Sequence, residues 1–146
     1  MTTATARWTW LLAACLLAGC SNTPPGSARG VGTLDAGTAR ISLGTNNLEE
    51  SRSVRCSTIG TLTTIFTGDA ASGTTVVVSN AAGLSARSVQ IRGLAGFTGS
   101  YYADLGGRSD ASLSGATYSV DGVAEGFTAD KTSFRASQPF VIRVAC

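Results

Sequence analysis

Histidine is absent from the 146-residue sequence, and its absence excludes whole classes of chemistry. Without imidazole the chain has no Ser-His-Asp or Cys-His nucleophilic system, and it lacks the commonest metal ligand in proteins. Lysine occurs once, as Lys131, and no Cys-x-x-Cys pair is present to bind zinc. We therefore expect a protein that is not an enzyme and holds no metal. One kind of enzyme is not excluded by these absences: a hydrolase that uses two carboxylates brought together by folding, as glycosidases do.

Charged residues are also scarce, at 14% of the chain, and the formal net charge is only +2. The arginines are scattered and form no basic run. Because binding to DNA or RNA requires a concentrated basic surface, we do not expect nucleic acid as a partner. Glycine, serine, threonine and alanine take the place of charged residues, a composition typical of a β-protein with many short strands.

Tryptophan and methionine are confined to the first ten residues of the chain. In the same region, Arg7 supplies a positive charge in front of an apolar run at residues 8–18. A helix of this length spans about 16 Å, roughly half the hydrocarbon core of a bilayer, and is too short to cross it stably. We interpret residues 1–19 as a signal peptide that directs the rest of the chain out of the cytoplasm.

The sequence Leu-Ala-Gly-Cys at residues 17–20 follows the apolar run and resembles the lipobox of bacterial lipoproteins. The alternative is an ordinary secretory peptide in which Cys20 falls by chance. We predict that Cys20 is lipidated, with acyl chains such as palmitate, and that no cofactor other than this covalent lipid is present. Each buried methylene contributes about 0.8 kcal/mol, so two or three acyl chains would anchor the protein to the outer side of the cell membrane.

The remaining cysteines predict one disulfide. Cys15 is lost with the signal peptide and the Cys20 thiol is consumed by lipid, which leaves Cys56 and Cys146 outside the cytoplasm, where disulfides persist. Apolar and polar residues alternate around both cysteines, so we expect both thiols on the buried side of strands. A bridge that closes a loop of this size stabilises the folded state by about 4–5 kcal/mol in the chain-entropy model.

The mature chain divides into a lipidated flexible tether at residues 20–38, rich in Ser, Thr, Pro and Gly, and a β-rich domain at residues 39–146. The fold class that we predict is all-β, a mainly antiparallel β-sandwich or open barrel. Hairpin signals at Ser114-Gly115 and Asp121-Gly122 compete near its middle, and we favour the turn at Ser114-Gly115, with a local kink or bulge at Gly122. The predicted strands are residues 39–43, 51–57, 62–66, 74–79, 88–92, 99–103, 111–114, 117–124 and 134–145.

Tyr101 and Tyr102 form the one aromatic feature that suggests a contact site in the domain. Adjacent residues of a strand face opposite sides, so we expect one ring in the core and the other exposed. An exposed ring can anchor a partner or a sugar, although an ordinary surface tyrosine is the simpler interpretation.

From about residue 40 to residue 146 the sequence resembles the mycobacterial lipoprotein antigens of the LpqH (19-kilodalton antigen) type. The resemblance is carried by the order of short motifs: Val-Arg-Cys-Ser-Thr at 54–58, Ser-Val-Gln-Ile-Arg-Gly at 88–93, Phe-Thr-Gly-Ser-Tyr at 97–101, Asp-Ala-Ser at 110–112, Tyr-Ser-Val-Asp-Gly at 118–122 and Phe-Val-Ile-Arg-Val-Ala-Cys at 140–146. It implies a lipidated, surface-displayed antigen with an adhesin-like role, whose acylated N-terminus is sensed by host Toll-like receptors. It also implies Cys20 as lipid acceptor and a Cys56–Cys146 disulfide. The tether here lacks the long Thr/Ser tract associated with glycosylation in that family.

Two functions follow as hypotheses. The first is a non-enzymatic surface lipoprotein that presents a β-domain to envelope components or host receptors. The alternative is a lipid or glycolipid carrier, which needs an apolar cavity of several hundred Å³. A display domain would instead have a solidly packed interior.

Overall fold

The computed structural model describes residues 32–146, which form one all-β domain. The predicted signal peptide, Cys20 and the first part of the predicted tether lie outside the described residues. Apart from one short 3-10 helix at Ala103–Leu105, the regular structure in this range is β-strand. Within the same range, no helix is long and apolar enough to traverse a bilayer.

Ten strands form a single antiparallel sheet that is not closed into a barrel, which confirms the predicted fold class. Hydrogen-bonded neighbours follow the order β2-β1-β10-β9-β7-β6-β5-β4-β3, and β8 pairs only with β9. The strands are β1 (Ala39–Leu43), β2 (Asn46–Asn47), β3 (Val54–Ile59), β4 (Leu62–Gly68), β5 (Gly73–Ser79), β6 (Ser85–Leu94), β7 (Phe97–Tyr102), β8 (Ser109–Ser114), β9 (Thr117–Thr128) and β10 (Lys131–Ala145).

Each predicted strand is present, and most are longer than predicted because pairing continues into flanking polar and glycine residues. The two-residue strand β2 was not predicted, since Asn46 and Asn47 carry a turn signal. The turn after Ser114 is confirmed, because Ser114 pairs with Thr117 across the hairpin. The bulge predicted at Gly122 is wrong: Gly122 pairs in unbroken register with Ser109 on one side and Phe140 on the other.

The core lies on the inner face of this curved sheet. It is built largely from medium-sized aliphatic side chains of β1, β4, β5, β6, β9 and β10 with a few aromatic rings. Phe140 is 2% exposed and lies beside Tyr101, with ring centroids 6.4 Å apart. Because the inward-facing residues of the strands meet in this one cluster, burial of their apolar surface stabilises the curved sheet as a unit.

The end of the predicted tether contacts the domain. The Leu34 amide donates a hydrogen bond to Thr117 Oγ1 at 2.9 Å, and Thr38 is buried at 2% exposure. A Cβ on Gly32 would lie 2.6 Å from the Arg143 guanidinium. The described chain therefore enters the domain beside the first residues of β9.

The disulfide between Cys56 and Cys146 is present and closes a sequence separation of 90 residues. It joins β3, at one edge of the sheet, to the residue that follows β10, near the other edge. The expectation that both cysteines are buried is wrong, since both are exposed. Cys56 pairs with the buried Ile65, so its face was predicted correctly, but β3 is an edge strand and extends past the core.

Candidate functional site

The outer face of β9 carries the most distinctive surface of the described residues. Val120 and Ala124 point inward and are fully buried, whereas Val123 and Phe127 point outward and are 46% and 40% exposed. Strand alternation imposes this separation, because successive side chains project to opposite faces. Glu125 lies between the two outward apolar residues and is also exposed.

A notch in the sheet lies beside this face because β9 changes its partner along its length. Residues 117–122 of β9 pair with β8, and residues 125–128 pair with β7. Between these stretches, Val123 and Ala124 pair with β10 and with neither β7 nor β8. The segment from Ala103 to Arg108 leaves β7 and rejoins the sheet as β8, so it forms one wall of the notch.

The wall of the notch depends on two glycines. Gly106 ends the 3-10 helix in the left-handed region, with a φ of 82° that a side chain would strain. A Cβ on Gly107 would lie 2.8 Å from the Tyr101 ring, so the loop packs closely against that ring. These features hold Leu105 at the rim of the notch, where it is 81% exposed.

The paired tyrosines behave as predicted. Tyr101 is 6% exposed and packs in the core, whereas Tyr102 is 39% exposed and lines the notch. The Gln90 amide donates a hydrogen bond to the Tyr102 hydroxyl at 3.1 Å and so helps to orient the exposed ring. The prediction therefore located one residue of a larger surface.

Three overlapping depressions meet at Glu125 and form a groove on the outer face. Their volumes are about 490, 340 and 410 Å³, and each is open to solvent. The first is walled by Phe127 and Phe134, the second is the notch beside Tyr102, and the third extends across β7 toward Gln90. We call this surface the β9 groove.

The β9 groove also contains charged groups available for hydrogen bonding. Ser137 donates a hydrogen bond from its hydroxyl to Glu125 Oε1 at 2.5 Å, and the other carboxylate oxygen of this groove residue has no hydrogen bond from a described residue. Arg108 and Arg135 lie at the groove, and neither guanidinium has a hydrogen bond or ion pair with another described residue. Arg92, by contrast, is held by a 3.1 Å hydrogen bond to Thr75 Oγ1.

Most of the β9 groove was missed by the sequence interpretation. The alternation of outward Val123, Glu125 and Phe127 with small inward residues was a usable signal, because it continues the strand that had been predicted to end at residue 124. Leu105 and Phe134 gave no comparable signal, since they lie in a loop and in the irregular first part of β10. Their grouping depends on which strands pair.

Two other sequence hypotheses have a structural counterpart. Among the carboxylates that a hydrolase would draw on, Asp69 and Asp130 have a pKa below the ordinary value. For Asp69 the cause is hydrogen bonding from the Ser72 and Ala71 amides, and for Asp130 it is chiefly the Thr128 hydroxyl. In residues 32–146, no group of three or more Cys, Asp or Glu side chains is arranged to hold a metal ion.

The carrier hypothesis required an enclosed apolar cavity. The depressions that we describe in residues 32–146 are open to solvent and lie on the outer face or the β3 edge of the sheet. The inner face is instead filled by side chains such as Ile65, Ile91 and Ile142, each 1% exposed. The described residues therefore give the carrier hypothesis no support.

Comparison with known proteins identifies the family. The model of the Mycobacterium 19 kDa lipoprotein antigen family matches residues 32–146, the same range that forms the domain. The chain belongs to this family. A relative from Mycobacterium indicus pranii, provisionally named a lipoprotein, is 33% identical over 137 residues, which cover 93% of each chain. A relative from Mycobacterium avium subsp. hominissuis with the same provisional name is 35% identical over 94 residues, which cover 64% of this chain and 65% of the relative.

Proposed function

We propose that this protein is a non-enzymatic, lipid-anchored lipoprotein of the mycobacterial envelope, attached through Cys20 and presenting residues 32–146 on the outer side of the membrane. One observation carries the proposal: a lipobox-like sequence at residues 17–20 stands directly upstream of a domain of the lipoprotein antigen family. The partners that the resemblance implies, host receptors and envelope components, are part of this proposal.

The tether geometry supports presentation away from the membrane. The segment from Cys20 to Gly32 reaches at most about 40 Å when extended, and the chain enters the domain beside Thr117. The β9 groove begins beyond Gly122 and continues to Phe127, which lies about 33 Å farther along the strand than Thr117. A partner could therefore reach the groove while the acyl chains remain in the bilayer.

Metabolic labelling tests the anchor. The wild-type chain, expressed in a mycobacterial host with labelled palmitate, is expected to incorporate label and to sediment with membranes. Cys20→Ala should lose both properties, because no other thiol stands at the cleavage position. Cys15→Ala is the matched control, since it removes the neighbouring cysteine of the same N-terminal segment, and it should retain both. Equal labelling of Cys20→Ala and wild type would refute the proposal.

A further inference from the structure

Exposed aromatic side chains of the described residues are concentrated on the β9 groove. Within residues 32–146 the large hydrophobic side chains that remain exposed include four aromatic rings, and three of them line this groove. The three rings are those of Tyr102, Phe127 and Phe134, exposed by 39%, 40% and 71%. Single exposed rings need no explanation, but a cluster along one groove is typical of a binding surface.

The shape of the groove suits an extended ligand. Outward residues of β9 line the groove from Val123 to Phe127, and Asp121 lines an adjoining depression, so the combined surface is about 20 Å long along the strand. The surface is shallow and open, and the rings are separated by polar side chains such as Glu125 and Ser100. A chain of several linked rings could lie along it, whereas a compact apolar ligand would find no enclosed pocket.

The charges of the groove and of the depression that adjoins it at Arg108 and Asp121 balance. Arginines and carboxylates occur in equal number over this combined surface, and the set is Arg92, Arg108, Arg135, Asp110, Asp121 and Glu125. Such a surface offers both donors and acceptors without favouring a polyanion or a polycation. A neutral ligand with many hydroxyl groups uses both kinds of partner at once.

We propose that the β9 groove binds a neutral oligosaccharide chain. The C–H faces of sugar rings would stack on Tyr102 and Phe127, which combine an apolar ring face with low conformational entropy. The sugar hydroxyl groups would bond to Glu125 and to the guanidinium of Arg108, which has no partner among residues 32–146. The inference extends the proposed function by naming a partner class for the presented domain.

The test uses the full chain purified in detergent from whole cells of a mycobacterial host, whichever fraction the chain occupies. The probe is an array of immobilised neutral glucan, mannan and galactan oligosaccharides, with uronic-acid-containing oligosaccharides beside them. We expect binding to at least one neutral series. Both Tyr102→Ala and Phe127→Ala should bind that series about tenfold more weakly, because each removes one stacking ring.

Phe66→Ala is the matched control for Phe127→Ala. Phe66 is 37% exposed, close to the 40% of Phe127, and it also projects from the outer face of the sheet, but it lies outside the β9 groove. Its substitution should leave binding within about twofold of wild type. Tyr102→Phe keeps the ring and should also retain binding, which separates loss of stacking from misfolding.

Three outcomes would overturn the inference: no retention on any neutral oligosaccharide, stronger binding to the acidic series, or equal losses in Phe66→Ala and Phe127→Ala. Recognition of a protein surface instead of a saccharide would produce the first of these. The binding assay uses purified chain and does not depend on the acyl group. If the labelling experiment disproves the lipid anchor, the oligosaccharide-binding result can still be interpreted. If no oligosaccharide binds, the labelling result can likewise still be interpreted.

Discussion

Phe66 and Phe127 have similar exposure, yet they lie in different surroundings. The Arg55 guanidinium covers the Phe66 ring at 5.7 Å from its centroid, and the depression there is lined by only a few residues around Cys56. Phe127 lies in a groove with other exposed apolar side chains. Exposure of one ring is therefore weak evidence for a binding surface, and the proposal for the β9 groove depends on several rings grouped around polar side chains.

The same contrast extends to the regions of the sheet that carry the two rings. In β3, the edge strand that pairs with the strand of Phe66, Val54 is half-buried and the remaining residues are exposed, so β3 adds little to the core. In β9 and β10, Val120, Ala124, Phe140, Ile142 and Val144 are all buried. We expect the β9–β10 region to be held by packing and the β3–β4 region to depend more on its covalent link. The following predictions test this difference, in order of decreasing effect.

Removal of the disulfide should have the largest effect. The double variant Cys56→Ser/Cys146→Ser should lose about 4–5 kcal/mol of unfolding free energy, because the closed loop restricts the unfolded chain. Urea denaturation measures this loss. Hydrogen exchange should also show greater loss of protection in β3 than in β9. Equal loss in both strands would contradict the idea that the bridge secures the edge.

The second largest loss of unfolding free energy is expected when a core side chain of the β9–β10 region is truncated. Phe140→Ala should cost about 3–5 kcal/mol, because it leaves a cavity beside Tyr101 where the ring is now 2% exposed. Phe134→Ala, in the same strand, removes a ring that is 71% exposed and should change stability by less than about 0.5 kcal/mol. Similar midpoints of urea denaturation for the two variants would show that the core is not where we place it.

A pair of buried threonines, one on β4 and one on the neighbouring β5, tests the β3–β4 side of the sheet. Thr67 and Thr74 lie opposite each other on β4 and β5, and their hydroxyl groups form a 2.8 Å hydrogen bond. Thr67→Val should cost about 1–3 kcal/mol, because the buried Thr74 hydroxyl loses its partner. In the double variant Thr67→Val/Thr74→Val the cost should be smaller than the sum of the single costs. A double-mutant cycle measures this coupling, and strict additivity would argue against the hydrogen bond.

The smallest effect concerns pH and the turn between β4 and β5. Hydrogen bonds from the Ser72 and Ala71 amides hold the pKa of Asp69 below its ordinary value of 3.8. The unfolded chain therefore binds the proton more tightly, so the stabilisation is present above pH 3.8 and is lost as pH falls through the lower folded pKa. Asp69→Asn should flatten the fall in urea midpoint below pH 3.8. A fall as steep as that of wild type would assign the acid sensitivity to other carboxylates.

Local pattern was enough to predict the strands and the split between the two tyrosines. Alternation in residues 88–92 predicted β6, and two adjacent tyrosines in a strand had to face opposite sides. It was not enough to predict the exposure of Cys56, because burial depends on whether a strand lies at the sheet edge. The bulge at Gly122 failed for a related reason, since a paired glycine allows close approach to Phe140 and Arg108 without leaving the register.

The sequence by itself determined the β-rich class, the single available pairing of Cys56 with Cys146, and a lipobox-like site at Cys20, because these rest on residue type and short-range spacing. Only the tertiary structure decided the strand order, the change of partner along β9, and the notch that this change creates. These features depend on pairings between segments far apart in the chain. Several registers satisfy the same local alternation, and the choice among them is made by burial of the shared core.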